Sequence, residues 1–216
     1  LSGPDLPRRA AVCLRPDGMA TAPEICAALL DSADRLRDAG WVVDEVDALP
    51  PLQEAVPLLI TLWMGDGYDA MVQAAEAEGD PGAIAALAGQ AEFARGIGLP
   101  QYSDALVRRA TLARAWQRFL AERYSAVLLP LSAELPFEDD LALTDAASYQ
   151  RVWSAQMSQI ALPLTGLPAL ALTTGNVGNG VHVGIQIVAA RFREDVCLGV
   201  AEAIEARLPA LAPALP

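Results

Sequence analysis

Lysine is absent. All 15 cationic side chains among the 216 residues are arginine, which removes Schiff-base chemistry, a P-loop lysine and a depressed-pKa lysine base from what this chain can supply. Histidine is nearly absent as well: His182 stands alone, so a histidine-dependent site has a single candidate. Cysteine is scarce, and Cys13, Cys26 and Cys197 lie at wide spacings with no CxxC pair and no second histidine to complete a tetrahedral zinc site. Each sits in an apolar pattern, so they read as small core hydrophobes in a reducing cytosol. Positive charge is in deficit. Fifteen Arg against 27 Asp and Glu leave a net charge of −12, a field that repels polyanions and anionic lipid heads and argues against nucleic acid or a membrane as partner. No apolar run approaches the ~18 residues that span a bilayer, and no charged-then-apolar leader opens the chain. The reading is a soluble, cytoplasmic protein. The first residue is Leu1, in the turn-like stretch Leu1, Ser2, Gly3, Pro4, which suggests an excised segment.

What remains is rich in apolar material: 53% hydrophobic residues with 19% charged, a globular balance able to bury a core. Residues 10–14 suit a buried strand, followed by the turn residues Pro16, Asp17 and Gly18. Thr21 and Glu24 match a capping box with Pro23 in the first turn, and Ile25, Leu29, Ala33 and Leu36 recur at helical spacing until Gly40. A second strand at 41–46 completes a βαβ pattern that favours a parallel pair. From 50 to about 123 the strand signal vanishes, and alanine-rich helices take over between Pro57, Gly65, residues 79–82, Gly96 and residues 98–100. The longest is expected to start near Ser103 and Asp104 and to carry Leu106, Ala110, Ala113, Trp116 or Gln117, and Leu120 on one face. A strand at 126–129 ends at Pro130, and 131–143 reads as a long loop. A further helix is expected from Thr144 or Asp145 to a break at Pro163. Strands at 169–173 and 181–188 then flank the turn dipeptide Asn179-Gly180. A last helix opens on Glu194 and Asp195, buries Val196, Val200, Ile204 and Leu208, and ends near Arg207, charges that suit its macrodipole. The tail 209–216 reads as a loose terminus.

Candidate chemistry is sparse. The glycine-rich stretch 175–180 runs from strand to strand and adds no basic residue, so it reads as a hairpin and not as a phosphate cradle. No serine lies in a G-x-S-x-G elbow, and His182, on the polar side of its strand, reads as a structural hydrogen-bonding residue. Glu138, Asp139 and Asp140 lack the spacing of a calcium loop and read as a solvated run. Trp63, Tyr68, Trp116, Tyr149 and Trp153 are read as helix core packing, with the lining of an apolar pocket as the alternative.

The most specific stretch runs from Ala161, Leu162, Pro163, Leu164, Thr165, Gly166, Leu167 and Pro168 through Gly180, Val181, His182, Val183, Gly184, Ile185, Gln186 and Ile187 to Phe192, Arg193, Glu194 and Asp195. It resembles the C-terminal half of the amidase signature hydrolases, in which a GxP turn feeds a core strand, a hairpin follows, and a G-hydrophobic-Q-hydrophobic strand leads into the final helix. The resemblance covers essentially the whole chain but half of such an enzyme. It implies an α/β fold with a mixed, mainly parallel sheet flanked by helices and carrying a helical insertion: a βαβ start at 1–49, the insertion at 50–125, sheet completion and final helix at 126–208, and the tail 209–216. Members hydrolyse amides with a Ser-cisSer-Lys triad and backbone amides that hold the oxyanion, all in the N-terminal half. This sequence has no lysine and no Ser-Ser pair, so no catalytic residue carries over, and no cofactor or metal is implied.

The expected role is to complete the fold and part of the substrate pocket for a small-molecule amide, with Leu131, Ser132 and Ala133 as one wall and Trp153 and Gln156 from the next helix. The alternative is a noncatalytic subunit or binding module of an amidotransferase-like complex. The expected partner is the missing N-terminal half or a partner subunit, with homo-oligomers left open.

Overall fold

Hydrophobic alternation along the strands sorts the core onto two faces of one sheet. The computed structural model describes residues 5–209. Its five strands are β1 (Arg9–Val12), β2 (Val42–Glu45), β3 (Ala126–Pro130), β4 (Ala169–Val177) and β5 (Val181–Ala189), in the order β2-β1-β3-β5-β4. β1 runs parallel to both β2 and β3, whereas β5 runs antiparallel to both β3 and β4. The sheet is therefore mixed and mainly parallel in strand direction, as expected: β1, β2, β3 and β4 run one way and β5 alone is reversed.

On one face, Ala10, Val12, Leu128, Ile185 and Ile187 meet Leu29 and Leu36 of α1 (Pro23–Asp38) and Val200 and Ile204 of α8 (Glu194–Glu205). On the other, Ala11, Cys13, Val127, Leu129 and Val188 meet Leu58 of α2 (Ala55–Glu78), Leu112, Trp116 and Leu120 of α4 (Leu99–Glu122) and Ala161, Leu162 and Leu164 of α7 (Met157–Thr165). Between α2 and α4 lies α3 (Pro81–Arg95), so the stretch between β2 and β3 is helical, as the sequence pattern predicts. The short α5 (Leu141–Thr144) and α6 (Ala146–Ala155) precede α7.

Several local expectations need correction. The capping box at α1 does not form: Ala22 is the N-cap, and the Thr21 hydroxyl donates instead to the Met19 carbonyl. The α4 helix begins at Leu99, four residues before Ser103, because Pro100 is accommodated in the first turn, where no helical N–H is required. Its buried face runs through Ala105, Leu112, Ala113, Trp116 and Leu120, leaving Leu106 exposed. The helix from Asp145 breaks at Gln156 and not at Pro163. There the Ala155 carbonyl accepts from the N–H of Ala133 in the preceding loop. Pro163 lies inside the last turn of α7, which closes on Gly166 at φ 66°. Two guanidiniums complete that terminus, Arg109 donating to the Leu164 carbonyl and Arg191 to that of Thr165. The hairpin forms at 178–180 as expected, with β4 four residues longer than its pattern suggested and a bulge between Thr173 and Gly175. The 1–4 turn and most of the 209–216 tail lie outside the described residues.

The two sheet edges differ. β2 is four residues long and carries Glu45 and an Asp44 held by Arg9 at 2.8 Å. β4 has nine residues with no charge and no proline, and Ala169, Ala171 and Thr173 are exposed along it.

All three cysteines are buried free thiols. Burial pushes Cys13 up to about 11 and Cys197 up to about 12. A raised folded pKa favours the neutral thiol, so this contribution is intact below about pH 9 and lost as pH rises toward 11 and 12. Stability should fall by about 1.4 kcal/mol per pH unit for each thiol in that window. Urea midpoints at pH 8 and pH 10 test this; equal midpoints would contradict it.

Candidate functional site

A large cavity, about 750 Å³, opens beyond the carboxyl end of β1, where ligands of α/β sheets usually bind. Three separate stretches of chain build it. The turn after β1 supplies Asp17 and Met19, the insertion supplies Gln53, Val56 and Ile60 near the start of α2 and Gln90 and Phe93 from α3, and the α6–α7 region supplies Tyr149, Trp153, Ser154 and Met157. The turn is set by consecutive left-handed residues, Asp17 at φ 53° and Gly18 at φ 75°. This conformation turns the Asp17 carboxylate toward the insertion, where Oδ2 accepts from the backbone N–H groups of Leu52 at 2.7 Å and Gln53 at 2.6 Å. One short side chain thus ties the sheet to the first wall of the cleft.

The opposite wall is aromatic. Tyr149 and Trp153 lie on one face of α6, with ring centroids 5.5 Å apart and planes tilted by 39°. Gln90 of α3 reaches across, its Nε2 donating to the Tyr149 hydroxyl at 2.5 Å, while its Oε1 is buried without a partner. Burial raises the Tyr149 phenol above its ordinary value, so it stays protonated at neutral pH. Among the described residues that line the cleft, Asp17 is the only carboxylate or base, and the other polar groups are amides, hydroxyls and backbone.

A second, smaller cleft of about 270 Å³ is lined by Leu131, Ser132, Glu134, Phe137, Gln156 and His182, among others. The Ser132 hydroxyl accepts from the Glu134 N–H at 3.3 Å. Glu134 in turn is held by Arg151, with Nε at 3.0 Å. His182 and Ser132 share this cleft with no hydrogen bond joining them, and the His182 Nδ1 is buried without a partner. The expected hydrogen bond of that histidine is therefore missing at Nδ1, and no serine triad assembles among the described residues.

The residues singled out from sequence are thus divided. Leu131, Ser132 and Gln156 share the small cleft, and Trp153 belongs to the large one. Ala133 lines neither. It is buried at a backbone junction, its N–H donating to the Ala155 carbonyl and its own carbonyl accepting from the Ala22 N–H, both at 2.7 Å. Of the five aromatic candidates, Trp116 is fully buried core, Trp63 is exposed, and Tyr68 donates to the Leu87 carbonyl. Tyr149 and Trp153 take the pocket role. Gln53, Gln90 and Phe93 gave no sequence signal, because neutral side chains on amphipathic helices mark a site only once remote segments converge. Among the described residues, no group of three or more His, Cys, Asp or Glu is placed to hold a metal ion, and no helix is long and apolar enough to cross a membrane.

The family model described as Amidase matches residues 7–198. An indoleacetamide hydrolase of Bradyrhizobium japonicum is 30% identical over 222 residues, covering 97% of this chain and 44% of that protein. The A-type subunit of a glutamyl-tRNA(Gln) amidotransferase from Jannaschia sp. (strain CCS1) is 25% identical over 89% of this chain and 43% of its own length. Among solved structures, 6-aminohexanoate cyclic dimer hydrolase complexed with substrate superposes with a TM-score of 0.76 at 24% identity, over 97% of this chain and 47% of that one. The chain spans less than half the length of each.

Proposed function

Because the chain belongs to the Amidase family, we propose that it is the C-terminal, pocket-completing part of an amide hydrolase whose nucleophile, proton relay and oxyanion-holding amides are contributed by another segment. The observation that carries this reading is the large cleft beyond the end of β1, apolar and aromatic on its walls with a few fixed hydrogen-bonding groups and a single carboxylate, Asp17, that is already held by two backbone N–H groups. That is the lining a small uncharged organic group requires. The chain itself brings no lysine and no adjacent serine pair, so a Ser-cisSer-Lys relay needs a second polypeptide segment. Without that relay and its oxyanion donors, the covalent route loses most of its barrier reduction. In this reading the Trp153 ring borders the substrate. Leu131, Ser132 and Gln156 form a subsidiary wall, and Ala133 fixes the loop by its backbone.

The test is ammonia release from indole-3-acetamide. The purified chain should stay at the buffer blank. A chimera carrying the N-terminal segment of the Bradyrhizobium japonicum relative ahead of this chain should turn over. Turnover by the chain alone would refute the proposal, and a folded, soluble chimera without turnover would refute the completing role.

A second reading, a noncatalytic subunit or binding module of an amidotransferase-like complex, draws on the likeness to the Jannaschia protein. It is favoured if the chain copurifies in a fixed stoichiometry with a different polypeptide and the chimera is inert.

A further inference from the structure

The pocket-completing reading leaves open how a ligand reaches the large cleft, and α3 bridges its walls. This helix supplies Gly89, Gln90 and Phe93 to the lining, yet none of its residues whose side chains are described is buried. Its neighbours α2 and α4 each bury several. The bed beneath α3 is incomplete as well. Between it and α2 lies a cavity of about 230 Å³, lined by Val72 and Ala75 on one side and by Ile84, Leu87 and Ala88 on the other, and atoms that face a void lose their dispersion contacts. Across that interface the Tyr68 hydroxyl donates to the Leu87 carbonyl at 2.8 Å.

Both ends of α3 are built to bend. Gly79, at φ 75°, and Asp80 connect it to α2, and residues 96–98, with glycine at 96 and 98, connect it to α4. The second pivot is seated against α2, because a Cβ on Gly65 would come within 2.9 Å of the Ile97 Cγ2. On the cleft side the helix is tied to α6 by the bond of 2.5 Å between Gln90 and Tyr149. That tie holds for either orientation of the carboxamide, since a phenol hydroxyl both donates and accepts.

Resting on the reading above for the ligand, we propose that α3 is a lid over the large cleft. It swings about residues 79–80 and 96–98 to admit a small-molecule amide, and the Gln90–Tyr149 bond latches it shut. A helix with no buried side chain to anchor it, a void beneath it and glycine at both ends opens at a lower free energy than the elements that build the core. Loss of the latch raises the open population by the contribution of one hydrogen bond, about two- to tenfold.

Hydrogen exchange of the intact chain, read by mass spectrometry on peptides within 84–95, tests the motion. Those amides should exchange faster than the amides of β3 and α8. Tyr149→Phe and Gln90→Leu should each speed them about two- to tenfold with β3 and α8 unchanged, whereas Ala88→Leu, which fills part of the cavity between α2 and α3, should slow them. Stopped-flow fluorescence with indole-3-acetamide tests admission. Ala88 lies outside the lining of the large cleft, so Ala88→Leu should slow association and dissociation together and leave Kd unchanged. Exchange of α3 in step with β3, or exchange unaltered in both latch variants, overturns the lid. Association rates indifferent to Ala88→Leu, or no binding of the amide by the chain, overturn the admitting role. Ammonia release by the chimera decides the amidase reading separately, whichever way the lid behaves.

Discussion

Trp116→Ala is expected to destabilise the fold by about 3–5 kcal/mol, enough to unfold a marginal domain. Trp116 is fully buried in the core that joins α4 to Ala11, Cys13, Val127 and Leu129, and it meets Phe119 edge-on with ring centroids 6.2 Å apart. Its removal leaves a cavity in a face that three helices share, so neighbouring side chains can collapse only partly into the space. Its Nε1 is buried without a partner. Trp116→Phe therefore trades some lost packing for relief from an unsatisfied donor, and should cost no more than about 1–2 kcal/mol. Urea denaturation followed by far-ultraviolet circular dichroism measures both. A loss below about 1 kcal/mol for the alanine variant would mean that α4 is not anchored through this ring.

Gly184→Ala is expected to cost about 3 kcal/mol, a large penalty for one methyl group. A Cβ at this position would lie 2.6 Å from the backbone carbonyl oxygen of Leu172 and 3.4 Å from the Cα of Thr173. The obstacle is main chain of the paired strand, so no rotamer change relieves it, and β4 must move away from β5. The close approach sits at the bulge between Thr173 and Gly175, where the pairing register shifts. Gly178→Ala is the matched control, because a methyl group there would meet nothing within 4 Å; it should change stability by less than about 0.5 kcal/mol. Similar melting temperatures for the two variants would show that the hairpin yields easily at residue 184. Since His182, Val183 and Gly184 line the small cleft, the same substitution should also disturb that site.

Much of the framework was legible because strand and helix periods are written locally. Alternation of Val181, Val183, Ile185 and Ile187 marked β5, and Asn179-Gly180 marked the hairpin. The motif order from Gly166 to Asp195 pointed to the family. What sequence reasoning missed depends on groups far apart in the chain. β3 is buried along its whole length, so its composition does not reveal that one neighbour is parallel and the other antiparallel. The helix break at Gln156 follows from the Ala155 carbonyl being directed to Ala133, in a loop well upstream. The capping residues Thr21 and Glu24 had the right spacing, yet the Ala22 N–H is taken by the Ala133 carbonyl, and the helix starts one residue later than a Thr21 cap requires. The cleft was the least legible feature, because Gln53, Gln90 and Tyr149 become neighbours only after α2, α3 and α6 have packed.

The contrast between the two outer strands gives the molecule a handed appetite for company. β2 is short and carries Glu45 beside Asp44, which Arg9 of the neighbouring β1 holds, whereas β4 offers a bare row of amides on a neutral, proline-free tape. Among the described residues, only the β4 margin is free of charge. If no other polypeptide claims it, two copies would meet seam to seam about a twofold axis, and such a pairing closes on itself because each copy offers one strand of this kind.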